Sequence, residues 1–197
     1  MKKNHYLVFQ WILLVLGPCL LASCSSLKGS RPAADPRNPW FWMDAEAVAQ
    51  ADPAGTRIEV SLSKQLAEVF DQDNEKIIVS DVSTGVPWKP TPLGTFSILE
   101  KRESKRSNLY GKIIDVRSGQ VVVEKAESRR HVPGPGQEFQ GTPMPYWMRL
   151  TWYGVGMHVG AFQRSVRSSH GCIRMPEGIQ PSVFGVCRVG TPVTISP

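Results

Sequence analysis

Apolar and polar residues alternate in short stretches along most of the chain after residue 56. Ile58, Val60 and Leu62 are apolar, and the residues between them are polar or charged. This period of two places the apolar side chains on one face of a β-strand. Similar stretches, separated by Pro, Gly, Asp and Asn, lie at residues 65–71, 76–83, 95–99, 113–116, 120–124, 148–153, 155–158 and 193–195. The pattern predicts a mostly β chain that folds as a single β-sandwich or barrel-like domain.

Helical signal is confined to one short region near the C-terminus. Residues 177–187 are compatible with a helix, although Pro181 requires that the helix begin or bend there, because proline has no N–H to donate. We therefore expect one or two short helices in all. Residues 129–141 contain two consecutive Pro-Gly pairs and no periodic pattern. Long irregular segments are often functional, so we predict a lid loop here.

The first 23 residues have the pattern of a bacterial lipoprotein signal peptide. Two lysines precede an apolar run at residues 6–16, which is too short to cross a bilayer comfortably. Small residues then lead into Cys24, which resembles a lipobox whose cysteine becomes the lipidated first residue. An ordinary signal peptide and an uncleaved anchor are the alternatives. We expect a lipid on Cys24 to hold the protein at the membrane, facing the periplasm or wall, with Ser25 favouring the outer membrane.

Residues 24–55 have the composition of a tether. They are rich in Ser, Pro, Ala and Asp and include four prolines. Such sequences connect a lipid to a domain rather than forming a core. An aromatic run at residues 40–42 interrupts the pattern, and it either docks on the domain or lies at the membrane surface. The folded domain is expected to span residues 56–197.

The overall composition is that of a globular protein with an excess of basic residues. Of the 197 residues, 41% are hydrophobic and 20% are charged, which excludes a wholly disordered chain. A chain of this length is expected to form one domain with a hydrophobic core. The formal net charge of +6 suits an anionic polymer or a membrane surface but selects no partner by itself.

Two of the four cysteines remain in the expected domain. Cys19 leaves with the signal peptide and Cys24 carries the lipid, so Cys172 and Cys187 are left. An exported protein can form disulfides, and these two could pair. Cys187, however, lies in an apolar stretch, where a cysteine usually behaves as a small buried hydrophobic residue. Cys172 has a better explanation in the segment around it.

A histidine and a short polar segment combine groups that carry chemistry. The histidine is His158, and the segment is Ser169, His170, Gly171, Cys172, Ile173 and Arg174. A zinc site needs three or four ligands, and one cysteine without a CxxC pair does not provide them. Packed core residues are the second alternative, but the small and polar neighbours of Cys172 favour an active-site turn.

A cysteine and a histidine can also act as a nucleophile and its base. An unperturbed thiol, with a pKa near ~8.5, is only slightly ionised at neutral pH, so it needs a base within hydrogen-bond reach. A histidine takes the proton and can return it to a leaving amine. Glycine before the nucleophile lets backbone N–H groups approach a carbonyl oxygen, which makes an oxyanion hole. The residues favour this interpretation for Cys172.

His158 followed by residues 169–174 resembles the signature of the L,D-transpeptidase (YkuD-type) catalytic domain. Further segments resemble landmarks of that family, in the family's order, at residues 58–65, 83–85, 91–96, 144–148 and 190–193. The resemblance therefore covers residues 56–197. Three positions depart from it: Arg174 stands where Asn is common, Val159 where Gly or Ser is usual, and Pro181 is unusual in the final helix but lies outside the motif.

The resemblance implies chemical roles for the residues of the motif. Cys172 is the nucleophile, and His158 is the general base and then the general acid. The N–H groups of Gly171 and Cys172 form the oxyanion hole. His170 is the alternative base, and is otherwise a scaffold or a substrate contact.

Four more residues are expected to bind substrate or to support the site. Ser169 either holds the turn or faces solvent. Arg174 either orients a substrate carboxylate or braces the loop. Tyr146 and Trp147 either form a substrate wall or fill the core. All four, together with His170, are predicted as substrate-binding residues.

The family implies an acyl transfer on peptidoglycan stem peptides. Cys172 attacks the bond between diaminopimelate and a terminal D-alanine, releases D-alanine and holds the rest as a thioester. An amine resolves the thioester, either on a neighbouring stem peptide, giving a cross-link, or on a wall-attached lipoprotein. No metal, organic cofactor or nucleic acid is implied. Water as acceptor would give an L,D-carboxypeptidase or hydrolase, and a non-catalytic wall-binding lipoprotein is the third alternative.

Overall fold

Strands dominate this computed structural model, which describes residues 40–161 and 163–197. The strands are β1 (Phe41–Met43), β2 (Arg57–Ser61), β3 (Leu66–Phe70), β4 (Lys76–Asp81), β5 (Gly94–Ser97), β6 (Glu100–Arg102), β7 (Arg106–Asp115), β8 (Val121–Glu127), β9 (Gln137–Pro143), β10 (Trp147–Arg149), β11 (Gly156–Val159), β12 (Ile173–Met175) and β13 (Pro192–Ser196). The helices are α1 (Ala45–Gln50) and α2 (Gln180–Val186). The mostly β prediction is confirmed.

The largest sheet has six strands in the order β1-β4-β3-β2-β13-β5. The C-terminal strand β13 runs parallel to β2, with Val193 opposite Ile58, and antiparallel to β5. Ile58, Val60 and Val193 are buried, as the alternation predicts. The C-terminal strand β13 therefore lies inside this sheet, between β2 and β5.

A second sheet of four strands, ordered β12-β11-β10-β6, carries the chemically interesting residues. Its strands β11 and β12 are parallel, with Met157 opposite Ile173 and His158 opposite Arg174. Met157 and Ile173 are fully buried. Because successive side chains point to opposite faces of a strand, His158 and Arg174 lie on the face away from this buried pair.

One hydrophobic core joins the two sheets. It contains residues of the six-stranded sheet, such as Ile78, residues of the four-stranded sheet, such as Met148, and Ile179 and Val183 in or beside α2. Fully burying each such side chain contributes about 1.5–3 kcal/mol. The sheets are open, so a sandwich rather than a closed barrel describes the domain. Pro181 lies in the first turn of α2, the position where its missing N–H is tolerated.

The third sheet, ordered β8-β7-β9, replaces part of the predicted lid loop. Residues 128–136 are irregular, but Gln137–Pro143 form β9, which pairs with β7. Gly111 and Gly141 allow this pairing, because a Cβ at Gly141 would lie 1.8 Å from the Ser107 carbonyl oxygen. The prediction of a loop over residues 129–141 was therefore wrong for residues 137–141, because the Pro-Gly pairs at 133–136 that suggested it end just before β9 begins.

The ordered domain begins earlier than residue 56. Strand β1 pairs with β4, and the Asp44 side chain accepts hydrogen bonds from two N–H groups in the first turn of α1. Phe41, Met43 and Val48 pack against the core. The last part of the predicted tether at residues 24–55 therefore belongs to the domain, and Phe41 docks on it. The predicted signal peptide, Cys24 and residues up to 39 lie outside the described residues.

No helix in the described part of the chain is long and apolar enough to cross a membrane.

Candidate active site

The parallel pairing of β11 with β12 brings His158 and Cys172 to one surface. Cys172 lies directly before β12, two residues ahead of Arg174, which pairs with His158. Residues two apart on a strand share a face. Cys172, Arg174 and His158 therefore share the face opposite the core, although 13 residues separate His158 from Cys172 in the sequence. This placement is the one that the motif predicted for a nucleophile and its base.

A network of hydrogen bonds fixes the turn before the nucleophile. Gly171 has a φ of +111°, a conformation that favours glycine. Thr91 Oγ1 donates to the Gly171 carbonyl oxygen at 2.8 Å and accepts from the Gly85 N–H at 2.9 Å. The Ser169 hydroxyl donates to the Cys172 carbonyl oxygen, and the Ser169 N–H donates to the Thr84 carbonyl oxygen at 3.0 Å. Ser169 thus holds the turn rather than facing solvent.

Of the two N–H groups predicted to form an oxyanion hole, those of Gly171 and Cys172, one already has an acceptor. The Gly171 N–H donates to Ser169 Oγ at 3.1 Å, so it is already engaged inside the turn. The Cys172 N–H has no acceptor within the described residues, and neither does the N–H of His170. The geometry therefore favours Cys172 with His170 over Cys172 with Gly171 as the pair of donors for a developing oxyanion.

His158 is held as a neutral base. Its Nδ1 lies 2.7 Å from the Val159 carbonyl oxygen, which can only accept, so Nδ1 carries the proton and Nε2 has the free lone pair. Burial, aided by the charge of Arg174 and opposed by the hydrogen bond to the Val159 carbonyl, lowers the pKa of His158 to about 4. The residue type at Val159 matters little to this arrangement, because the backbone makes the contact.

Cys172 rests as a thiol rather than a thiolate. Its side chain is half-buried, and Sγ lies 3.6 Å from the Gly154 carbonyl oxygen. Burial raises the pKa of the Cys172 thiol, while a hydrogen bond from the Gly156 backbone and the charge of Arg174 act in the opposite direction. A neutral thiol therefore shares this surface with a neutral imidazole, and proton transfer must accompany attack.

His170 is positioned by the third sheet. Its exposed ring lies 4.6 Å, centroid to centroid, from the ring of Tyr110 on β7. The Lys89 ammonium donates to the Tyr110 hydroxyl at 2.7 Å. Burial lowers the pKa of His170, and the positive charges of Lys89 and Arg174 lower it further. This stacking fits the scaffold or substrate-contact role that the sequence allowed for His170.

Arg174 braces the segment that leads to the turn. Its Nη1 donates to the Ala161 carbonyl oxygen at 3.2 Å and to the Ser168 hydroxyl at 3.3 Å. A Cβ on Gly160 would lie 3.0 Å from Arg174 Cγ and 3.3 Å from His158 Cε1. A side chain at residue 160 would therefore push on both groups. These contacts favour the bracing role over the carboxylate-binding role.

Trp147 and Tyr146 lie in different environments. Trp147 is 1% exposed and its ring centroid lies 5.9 Å from that of His158, so it fills the core under the base. Tyr146 packs edge-on against Phe184 of α2 at 5.6 Å, and its carbonyl oxygen accepts from Gln180 Nε2. Core packing thus accounts for Trp147, while Tyr146 supports the helix.

The second cysteine takes no part in this site. Cys187 is buried and unpaired, and burial raises its pKa to about 12. The disulfide between Cys172 and Cys187, which the sequence allowed as an alternative, is not formed. Within residues 40–161 and 163–197, no group of three His, Cys, Asp or Glu side chains is placed to hold a metal ion.

Several supporting residues were not predicted from the sequence. Thr91, Gly154 and Gly156 contact the nucleophile or its turn through backbone or hydroxyl groups. Thr91 lies in a segment noted as a family landmark, and this is the only signal in the sequence that could have identified it. Tyr110 gives no such signal, because its approach to His170 depends on how β7 is placed.

Solved structures of L,D-transpeptidases resemble the fold. One from Mycobacterium smegmatis has 21% identity and a TM-score of 0.53, with 73% of this chain and 59% of that chain covered. A C442S mutant of the Enterococcus faecium L,D-transpeptidase has 28% identity and a TM-score of 0.50, with 72% and 49% covered. This chain thus spans about half to three fifths of their lengths. A third, in complex with imipenem, has 22% identity and a TM-score of 0.53, with 72% and 58% covered.

A protein-family model matches most of the chain. The model of the YkuD L,D-transpeptidase catalytic domain matches residues 55–195, while a search of curated proteins gives no match. The match includes His158, Cys172 and the whole of the turn between Ser169 and Cys172. It also includes all of the second sheet and most of the first. The chain therefore belongs to the family of YkuD L,D-transpeptidase catalytic domains.

Proposed function

We propose that this protein is a cysteine L,D-transpeptidase that acylates itself on peptidoglycan stem peptides. The observation that carries the proposal is the neutral His158, oriented by the Val159 carbonyl, on the same face as Cys172. A neutral imidazole with a free Nε2 is the group that a resting thiol needs for attack.

The donor half-reaction follows from these protonation states. Cys172 Sγ attacks the carbonyl carbon between the L-centre of diaminopimelate and the terminal D-alanine, and His158 Nε2 takes the thiol proton. The oxyanion is stabilised by the free N–H groups of Cys172 and His170. The C–N bond then breaks, the proton moves from His158 to the amine of D-alanine, and a thioester remains on Cys172.

The depressed pKa of His158 assists the second of these proton transfers. Burial makes the imidazolium a strong acid, with a pKa of about 4, so it gives its proton readily to the leaving amine. An acceptor amine later repeats the sequence in reverse: His158 takes its proton, the new amide forms, and the thiol is restored.

Mass spectrometry of muropeptides after incubation with the purified protein tests this proposal. Transpeptidation gives free D-alanine and cross-linked dimers. Trimmed tripeptides without dimers would mean that water is the acceptor, as in an L,D-carboxypeptidase. Unchanged muropeptides with a correctly folded protein would favour the non-catalytic wall-binding alternative. An added lysine-bearing acceptor from a wall-attached lipoprotein shows whether protein attachment also occurs.

We further propose that lipid on Cys24 anchors the protein and that the domain faces the periplasm or wall. The support is the lipobox-like sequence before Cys24. Cys24→Ala should move the protein from the membrane fraction to the soluble fraction. Ser25→Asp, which leaves the cysteine in place, should keep it in a membrane fraction. An N-terminus of the mature protein elsewhere than Cys24 would contradict the proposal.

A further inference from the structure

Two turns meet at the residue before the nucleophile. A Cβ at Gly171 would lie 3.5 Å from Val155 Cγ2 and 3.6 Å from the Pro90 carbonyl oxygen. Val155 ends the turn at residues 151–155, and Pro90 follows the turn at residues 86–89. The two turns therefore both come within van der Waals distance of the residue that precedes the nucleophile.

Both turns expose large aromatic side chains, which we call the aromatic rim: Trp88, Trp152 and Tyr153. Their exposed fractions are 76%, 78% and 74%. Trp147, only five residues before Trp152, is 1% exposed. Aromatic side chains so exposed contribute little to the core, and clustered exposure of this kind marks a binding surface.

The turn that carries Trp152 and Tyr153 is held rigidly. The Val155 N–H donates to Thr151 Oγ1 at 3.0 Å, and the Leu150 N–H donates to the Val155 carbonyl oxygen at 2.9 Å. The Arg149 guanidinium lies 5.9 Å from the Trp152 ring centroid and 5.6 Å from that of Trp147. The backbone that carries Trp152 is thus held in place, and little backbone entropy is lost when this turn binds a ligand.

The turn that carries Trp88 is also fixed. The Lys89 N–H donates to the Val86 carbonyl oxygen at 2.9 Å. A Cβ at Gly85 would lie 2.3 Å from the Lys89 carbonyl oxygen, so this turn packs directly on Gly85. Gly85 in turn forms a β-bridge with Ser169, three residues before Cys172. The rim therefore consists of exposed aromatic side chains on two hydrogen-bonded turns, both of which approach Gly171.

We propose that the aromatic rim binds the sugar rings of the glycan strand to which the stem peptide is attached. This rests on the proposed function. Muramic acid is neutral where its carboxyl is amidated by the stem, and a pyranose face presents C–H groups that stack on aromatic rings. Three extended residues between the sugar and the scissile bond span about 10 Å. Sugars are therefore expected at rim residues such as Trp152 and Tyr153, which precede Gly154 by one or two positions, rather than beside the thiol.

A lipid surface is the other ligand that exposed tryptophans could meet. Trp and Tyr are enriched where proteins touch the headgroup region of membranes. The rim residues Trp152 and Tyr153, however, directly precede Gly154, whose carbonyl oxygen lies 3.6 Å from Cys172 Sγ. Insertion of the rim into a bilayer would cover the nucleophile and block a polymeric substrate, so the position favours glycan.

Binding of peptide-free glycan tests the proposal without any turnover. The probe is soluble β-1,4-linked N-acetylglucosamine–N-acetylmuramic acid chains, titrated calorimetrically into the full-length protein. Trp152→Ala and Trp88→Ala should each raise Kd about five- to ten-fold, the size of one aromatic contact. Trp152→Phe should restore most of the affinity. Val189→Ala, at a 57% exposed residue away from the rim, is the matched control and should bind like wild type.

Equal glycan affinity in wild type and Trp152→Ala would overturn the proposal, as would absence of binding in wild type. Vesicles of anionic phospholipid provide the other arm, in a Cys24→Ala background that removes the proposed lipid. Loss of vesicle binding in the rim variants, with glycan binding intact, would identify the rim as a membrane contact and would also overturn it.

Kinetics separate this inference from the proposed reaction. The measure is kcat/KM for a disaccharide-linked tetrapeptide divided by kcat/KM for the same peptide without sugars. Trp152→Ala should lower this ratio about five- to ten-fold, and an unchanged ratio would contradict the rim's role. If wild type turns over neither substrate but still binds glycan through the rim, the proposed reaction fails and the rim stands.

Discussion

The two cysteines of the domain, Cys172 and Cys187, differ in exposure and in the side chains near them. Burial raises the pKa of both, and a cation acts against burial in both, from Arg174 at Cys172 and from Lys101 at Cys187. Cys172, however, is half-buried and shares a face with His158. Cys187 is 1% exposed among apolar side chains. Access and a neighbouring base, rather than a low thiol pKa, therefore distinguish a nucleophile from a core residue.

The largest expected effect is on covalent capture by a carbapenem. A strained lactam opens on attack and stays attached, so wild type should gain the whole mass of one drug molecule. A related L,D-transpeptidase has been solved in complex with imipenem. Cys172→Ala should abolish the adduct and Cys187→Ala should keep it, as measured by intact-protein mass spectrometry. An adduct on Cys187 would break the comparison.

Removing the base should be the next largest effect. His158→Ala should slow acylation about 10²- to 10⁴-fold, because His158 acts as both base and acid. His170→Ala removes a ring that stacks on Tyr110 and should leave measurable acylation. Stopped-flow acylation rates check both, with circular dichroism as a control for folding. A dead His170 variant with an active His158 variant would reverse the assignment.

A pH effect on stability should follow from the same histidine. The unfolded chain takes up a proton on His158 near pH 6.5, whereas the folded chain does so only near pH 4. The stabilising contribution of the neutral residue is therefore complete above pH 6.5 and is lost as the pH falls toward 4. Urea denaturation should show that wild type loses roughly 2–3 kcal/mol more than His158→Gln between pH 7 and pH 4.5. Equal losses of unfolding free energy in the two proteins would mean that folding does not lower the pKa of His158.

The smallest effect should come from the core cysteine. Cys187→Ala removes one buried sulfur and should lower the free energy of unfolding by about 1 kcal/mol, with acylation unchanged. Cys187→Ser should cost about 1–3 kcal/mol, because it places a hydroxyl in an apolar site. Urea denaturation monitored by tryptophan fluorescence measures both. Loss of acylation in Cys187→Ala would show that this residue supports the site.

Sequence reasoning identified the strands whose residues alternate and the motif whose spacing is local. Ile58 and Val60 are buried as their pattern predicts. Strand β1 was missed because its pairing with β4 is specified by residues more than 30 positions away, in a segment with the composition of a tether. Strand β9 was missed because it directly follows two Pro-Gly pairs and contains Gly141, whose close packing on β7 is not visible in the sequence.

The sequence predicted the reactive side chains of the site but not the backbone groups around them. Cys172 and His158 have a pattern, but the engagement of the Gly171 N–H by Ser169 depends on turn geometry that no residue type specifies. Trp147 and Trp152 are the same residue type five positions apart, yet one is buried and the other exposed. Which of two tryptophans faces solvent depends on the chain reversal at Gly154, which has a φ of +103°.

The pairing of β1 with β4 limits the distance between the domain and the lipid proposed on Cys24. With lipid on Cys24 as proposed, 16 residues lie between it and Phe41, compared with 31 between it and Thr56. Fully extended, these lengths reach about 55 Å and about 105 Å. If the lipid lies on Cys24 as proposed, the pairing of β1 with β4 keeps strand β1 within about 55 Å of the anchor, which limits the depth of the wall that the proposed reaction can reach.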